Sequence, residues 1–285
     1  MILLNNIHNT FDSYQQFINL YQKDKECLFE TIQIGFNTFF SANMSAALGA
    51  ILYVFSSNIN TIEFDFKNSK IKDILLKNDF LTYYGYKRIP DSFNTTIRFQ
   101  KLKPTDGKYF KSYVINELIG RSELPSMSNM VRDRMAEAIY EIFVNAQIHS
   151  ESKSIYTCGQ FFPNKNMIEF TIVDSGVGFK QRVNNRFHGN LSSIQAISWA
   201  TQDRNTTKED ITGGIGLALL KEFIEKNKGK MQIISDDGFY QFDKAGEQTQ
   251  LFDGAFPGTI VNLQFRTDDK SSYKMKNEIR SKDIF

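Results

Sequence analysis

Glu141 and Asn145 stand four residues apart in a segment, Arg132 to His149, whose Met135, Ile139, Ile142, Phe143 and Ala146 recur at helical spacing. Side chains four apart share one helix face at about 6 Å. The pair is therefore either hydrogen-bonded toward solvent or turned to a polar ligand. Asp174 closes an apolar run, Met167 to Val173, and leads into Ser175-Gly176-Val177-Gly178-Phe179. A carboxylate is acceptor-only and suits an amino group at a strand end; glycines beside it let backbone approach a ligand without a Cβ in the way. A plain turn opened by an aspartate is the other reading. Gly213, Gly214 and Gly216 precede Leu217-Ala-Leu, so the next helix opens on glycines whose N–H groups and positive dipole end suit phosphate. No Gly-Lys-Ser/Thr follows and no βαβ unit surrounds them, which excludes a Walker loop and a dinucleotide fingerprint. Gly258-Thr259 opens a last apolar strand, where a threonine is also ordinary strand usage. Taken in this order, the segments describe a nucleotide site.

From Met127 to Phe265 the chain resembles the GHKL (Bergerat-type) ATP-binding superfamily of gyrases, mismatch-repair proteins, heat-shock ATPases, histidine kinases and anti-sigma kinases. The resemblance rests on Glu141-Ile-Phe-Val-Asn145-Ala, Asp174-Ser-Gly-Val-Gly178-Phe and Gly213-Gly-Ile-Gly216-Leu. It implies ATP and Mg²⁺ as cofactors, with Asn145 as the metal ligand and Glu141 as the base that polarises an attacking water. It further implies Asp174 as the reader of adenine, helped by Thr259 through water, with Gly176, Gly178, Gly213, Gly214, Gly216 and Leu217 around the nucleotide. Residues 180–212, expected as a polar connection broken by one helix from Leu191 to Ala200, resemble the ATP lid. Thr206, Thr207 and Lys208 in it either touch the γ-phosphate or form an exposed loop. Glu137, one turn before Glu141, reads as a surface residue or a partner for Arg134. His149 sits where kinases of this superfamily carry His or Tyr, and equally reads as a residue stabilised by the helix dipole.

The elements that must hold these residues form an α+β fold: a mixed sheet covered by helices, preceded by a smaller α/β unit. The expected division is 1–120, 121–268 and a polar tail, 269–285. In the first unit, helices are expected over Asn9 to Gln22, Ser41 to Phe55 and Lys70 to Leu76. Strands are expected over Glu30 to Phe36, Thr61 to Phe66 and Thr95 to Leu102. Thr61 to Tyr86 looks STAS-like. In domains of that type a serine is phosphorylated; Ser69 lies in the nearest place, and the plainer reading is a helix cap. In the second unit strands are expected at Ile155 to Phe161, Met167 to Val173, Lys230 to Ser235, Phe239 to Phe242 and Gly258 to Phe265.

Bulk properties narrow the function classes. With 285 residues, 41% hydrophobic and 23% charged, the chain has room for two ordinary domains. A net charge of +2 indicates neither nucleic acid nor membrane as partner. No apolar run is long enough to span a bilayer, no basic n-region marks a leader, and Cys27 and Cys158 have no metal-type spacing, so a reducing cytoplasm is expected.

The reaction is less constrained. His8, His149 and His188 are the only histidines, and none lies in a long helix ahead of the ATP module, which argues against a conventional histidine kinase. Little chain follows Phe265, so the lysine that often reaches the γ-phosphate in the resembling topoisomerases and mismatch-repair proteins must come from elsewhere or be missing, and hydrolysis is expected to be slow or stimulated by a partner. The favoured expectation is an ATP-driven switch in which lid closure alters a homodimer or a protein contact at the N-terminal unit. The alternatives are a serine/threonine kinase of the anti-sigma type and a non-catalytic nucleotide-sensing scaffold.

Overall fold

A computed structural model describes residues 2–149, 152–202 and 216–278, without the side chains of Ile148 and His149. Its first sheet is parallel, in the order β1 (Ile2–Leu4), β2 (Thr31–Phe36), β3 (Thr61–Phe66). Parallel neighbours need crossovers, and α1 (Phe11–Asp24) and α2 (Ser45–Ser57) provide them. Every α2 residue from Ser45 to Leu52 is buried, as expected of a helix that is apolar on all sides. Helix α3 (Ser69–Lys77) follows β3, and the side chain of Asn68 caps it by accepting the Lys70 N–H at 3.0 Å. The cap is therefore Asn68, not Ser69, which is the first helical residue.

The second sheet is five-stranded, in the order β4 (Thr96–Leu102), β6 (Ile155–Phe162), β7 (Met167–Asp174), β9 (Gly246–Arg266), β8 (Lys230–Asp243). All four of its pairings are antiparallel, where a mixed sheet is expected from sequence. Two of the four are hairpins, in which Pro163–Lys165 turns β6 into β7 and Lys244-Ala245 turns β8 into β9; β4–β6 and β7–β9 are joined through helices. Its outer strand β4 comes from the segment that sequence groups with residues 1–120. The β8–β9 hairpin is also longer than expected. Asp236 bends β8 at φ 54° without ending it, and β9 begins at Gly246 with an exposed polar stretch that shows no alternation.

Helix α2 lies between the sheets, against β3 on one side and β6 and β7 on the other. The opposite face of the five-stranded sheet is covered by α4 (Gly107–Val114), a widened turn at Ile115–Ile119, α5 (Asn129–His149) and α8 (Gly216–Asn227). Strand periodicity sorts the two faces: Ile168, Phe170 and Ile172 of β7 point to α5, whereas Glu169, Thr171 and Val173 point to α1 and α2. The chain is thus a mixed α/β structure of alternating sheet and helix layers. No helix among the described residues is long and apolar enough to cross a membrane.

A buried polar seam joins α1, α2 and the larger sheet. Asn43 Nδ2 donates to Asn9 Oδ1 (2.9 Å) and Thr171 Oγ1 (3.0 Å), and Lys230 Nζ donates to the Asn9 carbonyl (3.2 Å). Farther along α1, Gln15 makes a reciprocal pair with the backbone of Asp253, donating at 2.8 Å and accepting at 2.9 Å. The polar tail is packed as far as residue 278: β10 (Ser272–Tyr273) pairs with β5 (Ser126–Met127), and Ser128 Oγ donates to Glu278 at 2.6 Å.

Candidate functional site

Asp174, the last residue of β7, is directly opposite Thr259 of β9, and Thr259 is opposite Ser235 of β8. Opposed residues in antiparallel strands share a face, so three polar side chains line up across the sheet end beneath α5. Thr259 and Ser235 hydroxyls are 3.3 Å apart, and Ser235 Oγ accepts the Phe179 N–H at 2.8 Å. The Asp174 carboxylate takes the Gly176 N–H on Oδ1 at 2.9 Å. Among the described residues its other oxygen accepts no hydrogen bond. Burial raises its pKa, and the opposing pull of Arg182 and the Gly176 N–H does not cancel that rise.

Glycines let the backbone close around this carboxylate. Gly258 has φ +131°, and a Cβ there would sit 1.9 Å from the Asp174 carbonyl oxygen. Gly178, at φ +71°, begins helix α6 (Gly178–Phe187), and a Cβ there would come within 2.6 Å of Asp236 Oδ2. That oxygen is buried with no hydrogen-bond partner among the described residues. Helix α6 and the capped helix α7 (Ser193–Ala200) form the connection after Asp174. One helix is expected there; α6 is hidden in a run of lysine, arginine, glutamine and asparagine that buries only Gly178 and Val183.

From the other side, α5 brings Ile142, Asn145 and Ala146 to the same cavity, with Leu217 of α8 closing one wall. Asn145, Asp174, Leu217 and Thr259 therefore meet around one space. Glu141 lies one turn away, at the start of α8. Its Oε2 accepts the Gly216 N–H at 2.7 Å, so an N–H that sequence offers to phosphate is held by a carboxylate, which also complements the helix dipole. Glu137 is paired with Arg134 at 3.2 Å, as expected of a surface residue. Thr206, Thr207, Lys208, Gly213 and Gly214 lie outside the described residues, as does the side chain of His149.

Sequence reasoning missed Arg182. Its Nε donates to the Gly178 carbonyl at 3.0 Å and its Nη1 to the Asn145 carbonyl at 3.3 Å, and its guanidinium lies 4.7 Å from the Phe179 ring centre. Burial lowers its pKa, with Asp174 and Asp236 pulling the other way. The cavity beside it leaves about 20 Å³ free, room for roughly one water. Only its spacing of four from Gly178, at the motif's edge, hints at this from sequence.

No group of three or more His, Cys, Asp or Glu side chains suited to a metal occurs among the described residues. No protein-family model matches the chain, and no curated protein matches it.

Proposed function

We propose that the chain is a Mg²⁺-dependent ATP-binding protein of GHKL type, in which slow or partner-stimulated hydrolysis drives lid closure and an interaction switch. The observation that carries this reading is the meeting of Asp174, Thr259, Asn145 and Leu217 at one cavity, assembled from β7, β9, α5 and α8. The donor set fits an adenine: a buried carboxylate with one oxygen uncommitted among the described residues, a hydroxyl beside it, and apolar walls from Ile142, Ile172 and Phe179. Mg²⁺ commonly keeps one or two protein ligands and takes the rest from phosphate and water, so a lone Asn145 suffices and a carboxylate cluster is not needed. When bound, the metal would neutralise phosphate charge. Asp174 would select the base by accepting its amino group, and Glu141 would hold the proton of an attacking water. Residues after Asp174, through α6 and α7, would close over the nucleotide, and the α1–α2 layer would carry the change to a second copy or a protein partner.

Glu141 also supports a second reading. With one oxygen committed to the Gly216 N–H, the carboxylate doubles as a structural cap, which suits a nucleotide-sensing scaffold without turnover. Incubation with Mg²⁺ and γ-labelled ATP, following free phosphate and protein-bound label together, separates the readings. Free phosphate lost in Glu141→Gln is expected for the ATPase. Label on protein would mark a serine/threonine kinase, and tight binding with neither product the scaffold. Absence of ATP binding by a folded protein, unchanged in Asp174→Asn, would end the proposal.

A further inference from the structure

We infer that Arg182 is a latch across the base pocket: it bridges the two walls when no nucleotide is bound and has to swing out for a base to enter. The inference rests on the nucleotide reading of the same pocket and concerns how that pocket is regulated.

Its two hydrogen bonds go to opposite walls. The Gly178 carbonyl belongs to the first turn of α6, whereas the Asn145 carbonyl belongs to α5. The guanidinium thus ties α6 to α5 at the cavity that Asp174 and Thr259 also line, and it packs on the Phe179 ring. With Arg182 in this position the cavity leaves about 20 Å³ free, whereas an aromatic ring takes a cavity on the order of 150 Å³. A purine and the latched Arg182 therefore exclude one another.

The latch also compensates charge. Asp174 and Asp236 Oδ2, which has no hydrogen-bond partner among the described residues, are buried close by; the arginine acts on both, and Lys180 acts on Asp236 as well. It makes no direct ion pair with either among the described residues, so its position is set by two carbonyl hydrogen bonds and a ring contact. Those are individually modest, which is what a displaceable group requires. A closed pocket lowers apparent affinity by the fraction of molecules that are open. Swinging Arg182 out would break its bond to α5 and free α6 to move, linking base binding to the segment after Asp174.

The test is equilibrium binding of a non-hydrolysable ATP analogue with Mg²⁺ by calorimetry, for wild type, Arg182→Met, Arg182→Lys and Asp174→Asn, with melting curves of each without ligand. Methionine keeps the stem and removes both donated bonds; lysine keeps the charge but cannot hold two carbonyls with a planar fork. The expected result is at least tenfold tighter binding by Arg182→Met, an intermediate affinity for Arg182→Lys, and a lower melting temperature for ligand-free Arg182→Met. Equal affinities for wild type and both arginine variants would overturn the latch and leave the nucleotide reading standing. Weaker binding by Arg182→Met would also overturn it, by making Arg182 a ligand contact. If all four proteins melt cooperatively and none binds, the nucleotide reading itself fails and the latch falls with it. Should Arg182→Met not fold, the lysine variant alone decides between tighter and unchanged affinity.

Discussion

Glu141 Oε2 accepts the Gly216 backbone N–H at 2.7 Å, tying the middle of α5 to the first residue of α8. Glycine is required at the contact. A Cβ on Gly216 would come within 2.7 Å of Glu141 Oε2 and 3.0 Å of the Ala138 carbonyl oxygen. Gly216→Ala is therefore expected to destabilise the fold by about 1–3 kcal/mol, the usual cost of overpacking. Chemical denaturation would read this as a lower midpoint; an unchanged midpoint would mean that α8 slides freely against α5.

The same contact decides how Glu141 must be tested. Glu141→Ala removes an acceptor at a helix start and costs about 1 kcal/mol, so lost turnover in that variant mixes stability with chemistry. Glu141→Gln keeps an oxygen for the Gly216 N–H and loses the basic carboxylate. If Glu141 is the base, Glu141→Gln is expected to lower turnover a hundredfold or more while melting near the wild-type temperature. Turnover within a few-fold of wild type would confine Glu141 to the cap.

Gly258 carries a sharper constraint. Its φ of +131° is closed to most side chains, and a Cβ would lie 1.9 Å from the Asp174 carbonyl oxygen and 2.7 Å from Ser175 Cα. Both neighbours are backbone, so nothing flexible can yield. Gly258→Ala is expected to part β9 from the end of β7 and cost about 3 kcal/mol or more. In a chain of this size that is a drop on the order of 10 °C in melting temperature. Because Thr259 would move with it, a variant that still melted normally would show that the sheet end is not as tight as its geometry indicates.

What could be read ahead of the structure follows from how local each signal is. The alternation of Thr61 to Phe66 and the periodicity around Glu141 and Asn145 are written within a few residues, and each fell in the element expected of it; of the glycines expected in the turn after Asp174, Gly176 lies there, whereas Gly178 already opens α6. The partner of β4 was not legible, because pairing with β6 spans more than fifty residues and rests on packing against both faces. The first half of β9 was missed because Glu247 to Leu251 is exposed on both sides and lacks a hydrophobic face. Arg182 was missed for a related reason: in Lys180-Gln-Arg182-Val-Asn-Asn-Arg186 it looks like any cation on a solvated helix. Only the tertiary placement of α5 turns it inward.

Glu169 gives a pH prediction. It is 3% exposed on the α1–α2 side of β7, and burial raises its pKa above 4.5; Lys230, Asn9 and Lys165 pull it down without cancelling that rise, while Tyr14 faces it from α1. A carboxyl whose folded pKa is raised contributes stability that is fully present below the unfolded value and is lost as pH rises through the folded value. Glu169→Gln has no such titration. Its melting temperature relative to wild type is therefore expected to become more favourable as pH rises from the ordinary glutamate range to above it. Burial already lowers the pKa of Lys230 and Glu169 opposes that fall, so the lysine left behind in Glu169→Gln loses its proton more readily, and Lys230→Met in both backgrounds separates its contribution from that of the carboxyl. A constant difference over the range would show that the Glu169 carboxylate is as well solvated folded as unfolded.

Cys158 reports whether the layers unfold together. Its thiol lies in β6 under α2, donating to the carbonyls of Ala42 at 3.1 Å and Ile97 at 3.3 Å, and burial pushes its pKa up far enough to keep it protonated at neutral pH. A protonated, enclosed thiol does not react. Ala42 belongs to the turn before α2 and Ile97 to β4, so the sulfur becomes accessible only when that layer leaves the sheet. Cys158 labelling in increasing denaturant is expected to coincide with loss of helical signal in one transition. A fragment covering residues 121–285 lacks β4, α4 and the whole α1–α2 layer. It would expose Tyr156, Val173, Ile234 and Ile260 together, an apolar patch that favours aggregation, and is expected to be insoluble. A soluble, cooperatively melting fragment, or Cys158 labelling that precedes global unfolding, would mean that the larger sheet stands without its N-terminal cover.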